Sequence, residues 1–239
     1  MEIHGLDFSW IQKLNDVDFA VVVSKSANVE FEDALFENRE KVLYHATCTG
    51  LGGTKFEPFA PTSTEKLLHL RRLIYRGFPT NHIVLRIEPV FPIGWISILN
   101  SEFKIEYKQK LKNILAVAKE LGITRVKYSY FSPYDYALSR LQQISPLFNL
   151  PPAWMPLYEN ELQLDKLVED ISFETETTMT APRHQKLPEI SEKDFAVMNV
   201  QFAPFSKLEL LQNENGFNCN FNCEYCYWRK AAIDNSRIR

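Results

Sequence analysis

Short apolar runs alternate along the chain with segments whose apolar residues recur at helical spacing. Phe19-Ala20-Val21-Val22-Val23 is a continuous apolar run, the pattern of a strand buried on both faces. Val42 to Ala46, Ile83 to Ile87 and Arg125 to Phe131 have the same character. The Thr-rich stretch Phe173 to Thr180 is a weaker strand candidate, and Val197-Met198-Asn199-Val200 and Leu208 to Leu211 are two more near the C-terminal end. Between the runs lie helices. Thr62 and Glu65 fit a capping box, after which Leu67, Leu70 and Ile74 share a face until Gly77 and Pro79. Tyr107, Leu111, Ile114, Leu115, Ala118 and Leu121 define a longer helix stopped by Gly122, and Tyr134 to Gln143 and Leu157 to Ile171 also read as helical. The prolines at 146, 151, 152 and 156 mark a loop.

Buried-type strands separated by helices predict an α/β fold with a parallel sheet. The repetition of the unit predicts a full or partial (β/α) barrel, with its active site at the C-terminal ends of the strands. At 239 residues, a single domain over 1–239 is expected, with no internal repeat.

Composition narrows the class only a little. Hydrophobic residues make up 45% and charged residues 24%, the mix of a globular protein with a large core. A net charge of -3 gives no electrostatic case for tracking a nucleic-acid duplex. No apolar run approaches the roughly 20 residues that cross a bilayer. The start of the chain, with Glu2 and Asp7, lacks the charged-then-apolar pattern of a signal peptide, so a cytoplasmic location without membrane partners is expected.

The cysteines carry the chemistry. Of 4 in the chain, Cys219, Cys223 and Cys226 share one short loop, within 216–228, at the spacing C-x3-C-x2-C. A disulfide framework would spread its cysteines, whereas this clustering reads as metal ligation. Three thiolates can hold three irons of a 4Fe–4S cubane and leave the fourth iron open to a small molecule. S-adenosylmethionine (SAM) suits that corner: its amino and carboxylate groups chelate iron, and an electron from the cluster breaks a carbon–sulfur bond. Two non-catalytic readings stay open. Zinc would need a fourth ligand, Cys48 or a distant histidine, and an electron-transfer cluster would need Cys48.

The segment Asn218-Cys219-Asn220-Phe221-Asn222-Cys223-Glu224-Tyr225-Cys226-Tyr227 resembles the cluster motif of the radical SAM superfamily. In most members that loop follows the first barrel strand; here it comes last. This order is similar to a microbial and phage branch related to spore photoproduct lyase, in which the cysteine loop ends the chain. That branch has a strand ending in Arg-x-Asp-Pro-Ile, matched here by Arg86-Ile87-Glu88-Pro89-Val90 with Glu for Asp. The turn Thr49 to Thr54 followed by Glu57-Pro58 has a similar look.

The resemblance implies a circularly permuted barrel of radical SAM type in which Leu208 to Leu211 supplies the strand that normally comes first, beside Phe19 to Val23. It implies a 4Fe–4S cluster and SAM as cofactors, Tyr225 packed near the adenine, and an external donor such as flavodoxin or ferredoxin. The expected chemistry is SAM cleavage to methionine and a 5′-deoxyadenosyl radical, with a nucleic acid or nucleobase as the suggested substrate class. The Gly-Gly-Glu that holds the SAM amino group in the family is missing, and Gly52-Gly53-Thr54 is an approximate substitute.

Further candidates lie at strand ends. Arg86 and Glu88 can contact polar groups of SAM or substrate, or form an internal ion pair that closes the barrel mouth. Gly50, Gly52 and Gly53 can bring backbone N–H groups to an anion such as the SAM carboxylate, or simply make a tight turn. Ser24, Lys25 and Ser26, and Tyr128, Ser129 and Tyr130, occupy positions where barrels place ligand contacts; Lys25 can bind a carboxylate, although a solvated lysine is the more usual outcome, and packing explains the tyrosines equally well. Cys48 reads as a small buried residue, and His45 and His82 as structural. Arg71, Arg72 and Arg76 read as a solvated helix face. Arg229, Lys230, Arg237 and Arg239 can meet phosphates or belong to a disordered end.

Overall fold

A computed structural model describes residues 8, 10–90, 101–130, 135–144, 174–175, 192–201 and 223. After a single helical turn, α1 (Trp10–Lys13), the chain alternates strand and helix: β1 (Ala20–Ser24), α2 (Val29–Glu37), β2 (Val42–Thr47), α3 (Ser63–Tyr75), β3 (Ile83–Val90), α4 (Ser101–Glu120), β4 (Arg125–Tyr130) and α5 (Asp135–Ile144). The short β5 (Glu174–Thr175) and α6 (Glu192–Val197) follow. The five strands form one sheet in the order β1-β2-β3-β4-β5, every described pairing parallel. The chain is therefore α/β, and each crossover moves the sheet one strand in the same direction.

Strand alternation divides the sheet into two different faces. Val22, Tyr44, Ala46, Leu85, Ile87, Val126 and Tyr128 pack into one core cluster with Phe31 and Leu35 of α2, Leu70 and Leu73 of α3, Leu111, Ile114 and Leu115 of α4, and Leu141 of α5. Helices α2 to α5 thus share one side, and their apolar stripes drive the main burial. The intervening strand positions carry a smaller apolar patch, Val21, Val23 and Leu43, against Phe19, Val197 and Met198. Beyond that patch and Val84 this second face is polar.

Local signals account for the helix boundaries. Thr62 and Glu65 form the capping box reciprocally, the Thr62 N–H donating to Glu65 Oε2 at 2.7 Å and the Glu65 N–H to Thr62 Oγ1 at 3.3 Å. Gly77 and Gly122 end α3 and α4 with positive φ, and the amides of Phe78 and Ile123 reach back to the Leu73 and Ala118 carbonyls. Helix α2 was not expected from the sequence. Its signal is Asn28, whose side chain accepts the Phe31 N–H at 2.8 Å, with Glu30 and Glu32 in the first turn. Helix α4 begins six residues before the expected Tyr107.

The strand expected at Val197-Met198-Asn199-Val200 is instead the end of a helix. Asn199 takes φ 54°, and the Val200 and Asn199 amides bond the Phe195 and Ala196 carbonyls at 2.9 and 3.2 Å. This is the stop that glycine makes elsewhere, and asparagine tolerates it because its short polar side chain suits the left-handed region. The Arg71-Arg72-Arg76 face is also only partly solvated: Arg72 and Arg76 reach the buried Glu32 at 3.0 and 3.3 Å, docking α3 onto α2. Of the expected strand 173–180, Glu174 and Thr175 pair with β4. The expected helix at 157–171, the proline loop and the strand at 208–211 lie outside the described residues, as does the cysteine loop apart from Cys223.

Candidate functional site

The polar face of the sheet concentrates ionisable side chains. Across the sheet His45 is in register with Val84, Val84 with Arg125, and Arg125 with Glu174. One row closer to the strand tips, Thr47, Arg86 and Lys127 are in register. Because a pleated strand repeats every second residue, these two rows project from the same side. His45 is 0%, Arg86 7% and Lys127 4% exposed. Buried charge survives only with partners. Arg86 meets Glu88, its neighbour two residues along the same strand, and Arg125 donates to Asp194 of α6 at 2.5 Å. The second pair fixes α6 against this face, helped by an edge-on contact of Phe195 with Phe19 at 5.1 Å. Burial, then Arg86, Lys127 and Arg125 hold the His45 imidazole well below its usual pKa, in the neutral form.

At the strand tips a second polar group forms. Lys25, just past β1, donates to Glu57 Oε1 at 2.7 Å, and Thr49 Oγ1 donates to the same oxygen at 2.6 Å. Lys25 is therefore paired, contrary to the solvated lysine expected. The Glu57 carboxylate is buried and joins the ends of β1 and β2.

The third group lies on the helix side. Lys66 of α3 is 1% exposed and donates to the carbonyls of Ser24 and Ser26, at 3.0 and 2.6 Å, and to the Tyr44 hydroxyl. Burial pulls its pKa down to about 7. Tyr44 continues to His69 Nε2 at 3.4 Å, and His69 Nδ1 to Glu32 at 3.3 Å. Cys48 belongs to this surrounding, its thiol pushed up to about 11 by burial. A neutral buried thiol is a poor nucleophile. Lys66 thus braces the Ser24 to Ser26 segment from behind.

The residues singled out in the sequence divide accordingly. Arg86 and Glu88 are brought together at the end of β3, as the ion pair anticipated in one of the two readings. The glycines have backbone tasks. Gly50 packs on Tyr107, Leu111 and Ile114 of α4, a Cβ on Gly52 would meet the Pro61 carbonyl oxygen at 1.8 Å, and the Gly53 N–H is taken by the Glu57 carbonyl at 3.0 Å. Tyr128 packs in the main core beneath the helices. His82 is tied to the Arg39 carbonyl at 3.0 Å. Cys223 is buried in the same apolar cluster as Cys48. Cys219, Tyr225 and Cys226 lie outside the described residues.

His45, Thr47, Lys127 and Glu57 were missed or read as structural. A signal for Lys127 existed: Arg125-Val126-Lys127-Tyr128 alternates basic and apolar residues, the pattern of a strand with one polar face. His45, inside an apolar run, had none. Compared with protein families, with characterised proteins and with solved structures, the chain finds no match. Among the described residues no helix is long and apolar enough to cross a membrane.

Proposed function

We propose that the chain is a radical SAM enzyme in which Cys219, Cys223 and Cys226 ligate a 4Fe–4S cluster and the parallel sheet belongs to a full or partial, circularly permuted barrel. The observation that carries this reading is the C-x3-C-x2-C spacing, a donor set of three thiolates that leaves one iron without a protein ligand. Cys223 is buried in the apolar cluster on the helix side of the sheet.

Two features of the fold support the barrel. A strictly consecutive parallel order is the winding of a (β/α) barrel; a doubly wound sheet reverses direction partway. Right-handed crossovers put α2 to α5 on one face, whereas the short α6 lies on the opposite one, against Arg125 and Phe19. That face is the polar one, with Arg86, Glu88 and Lys127 near the C-terminal strand ends where barrel enzymes hold their ligands.

When bound, the cluster and SAM would supply one-electron cleavage of a carbon–sulfur bond. The chain's own residues then have binding and positioning roles. Arg86 and Glu88, locked together, present fixed charge toward the strand tips. Lys66, Glu57 and the turn through Gly50, Gly52 and Gly53 hold the β1 and β2 ends in place from behind. A nucleobase or nucleic-acid substrate remains the class suggested by the sequence resemblance.

The test is anaerobic purification and reconstitution. About four irons per chain, and 5′-deoxyadenosine formed with dithionite and SAM, are expected, and Cys223→Ala should lose both. One zinc without iron or sulfide would replace this reading with a zinc-braced binding module. A full cluster that never yields 5′-deoxyadenosine would leave an electron-transfer role.

A further inference from the structure

We propose that the polar face of the sheet binds an oxyanion, a carboxylate or phosphoryl group of a small molecule, between His45, Arg86 and Lys127. The inference stands apart from the SAM reading, because it uses none of the cysteines.

His45 carries the argument. It is fully buried, yet among the described residues neither Nδ1 nor Nε2 has a hydrogen-bond partner. Buried polar atoms are rarely left so, because the lost contact with water is then uncompensated. A histidine kept only for packing would be better replaced by an apolar residue. His69, the comparable buried histidine on the other face, has Tyr44 on one nitrogen and Glu32 on the other.

The surroundings specify the ligand's charge. Parallel register sets Arg86 diagonally beside His45 on the adjacent strand, with Lys127 next in the same row as Arg86. Of the described carboxylates, Glu88, two residues along β3, is bonded to Arg86, and Asp194 of α6 to Arg125. Among the described residues, the charged side chains whose fields bear on the imidazole are Arg86, Lys127 and Arg125. An oxyanion there would accept from the imidazole N–H and from the guanidinium and ammonium groups, the charge-assisted geometry that binds carboxylate and phosphate.

Binding is then linked to a proton. An added negative charge favours the imidazolium, so anion binding should draw a proton onto His45, and affinity should fall as pH rises. Inorganic sulfate and acetate are suitable probes, tetrahedral and planar, and neither changes charge near neutral pH. The full chain, with its 5 histidines labelled at the ring nitrogens, is titrated with each probe, and His45 is identified by its absence in His45→Gln.

Saturable movement of the His45 resonances is expected. Response to sulfate alone marks a phosphoryl site, and response to acetate alone a carboxylate site. Lys127→Met and Arg86→Met should weaken binding by about tenfold or more, as loss of a hydrogen bond to a charged group does. Lys110→Met, which removes a lysine paired with Glu106 on the surface of α4, should not. His45 resonances unmoved by either probe in the wild-type chain overturn the proposal, whatever the variants do. So does movement of equal midpoint in folded Lys127→Met and Arg86→Met. Should a methionine variant fail to fold by circular dichroism, Lys127→Arg keeps the charge and should retain binding.

Discussion

The wild-type protein should gain stability with pH just above neutrality, and replacing Lys66 by methionine should remove that rise. Lys66 is enclosed by α3, β1 and β2, and its pKa falls from an ordinary 10.5 to about 7. Between those values the unfolded chain binds more protons than the folded one, so stability increases with pH; it is lost as pH falls toward the folded value. Integrating that difference from about pH 7 to about pH 8.5 gives about 1.7 kcal/mol for this one group. The window excludes the other buried titrations. His45 and His69, both lowered, act below it. Cys48, raised to about 11, acts above it, where the unfolded thiol ionises first and stability falls. The assay is urea denaturation at several pH values, comparing slopes rather than absolute stabilities, since Lys66→Met also orphans the Ser24 and Ser26 carbonyls. A wild-type protein whose stability is flat across this window would refute the reasoning. It would mean that the three acceptors around Nζ hold the ammonium charge well enough to offset its burial.

The remaining predictions concern packing and pairing. Asp194→Asn should cost about 3–5 kcal/mol, because it strips the buried Arg125 of its carboxylate. The double variant Arg125→Met/Asp194→Leu should recover most of that loss, and a denaturation cycle with additive losses would show that the pair does not act as a unit. Gly52→Ala should destabilise by about 1–3 kcal/mol, since its Cβ would overlap the Pro61 backbone. An unchanged denaturation midpoint would mean that the turn between β2 and α3 yields freely.

Much of the fold was legible because its signals are local. The runs at Phe19 to Val23, Val42 to Ala46 and Ile83 to Ile87 became β1, β2 and β3 within a residue or a few, and β4 began at Arg125 as expected. Thr62 with Glu65, Gly77 and Gly122 marked helix ends through bonds between residues three to five apart. Helix α2 was missed because Asn28 and a short apolar face make a faint pattern. At Val197 to Val200 an apolar quartet looked like a strand until the Asn199 stop decided otherwise.

The ionisable groups were legible as residues and not as a site. Arg86 and Glu88 stood out because an alternating charge in an apolar strand must find a partner nearby, and the partner was two residues away. Arg125 and Asp194 are 69 positions apart, and Lys66 and Ser24 are 42. Such pairs depend on which strands become neighbours, and no short window contains that information. The amino-acid sequence on its own determined the alternation of strand and helix, the buried character of the strands and the spacing of the three C-terminal cysteines. Only tertiary structure decided that the strands run in consecutive order, which gives the sheet a helix-covered face and a polar one. The parity of each residue on its strand then sent His45, Arg86 and Lys127 to the polar face, and sent Tyr44 and Cys48 to the side of Lys66.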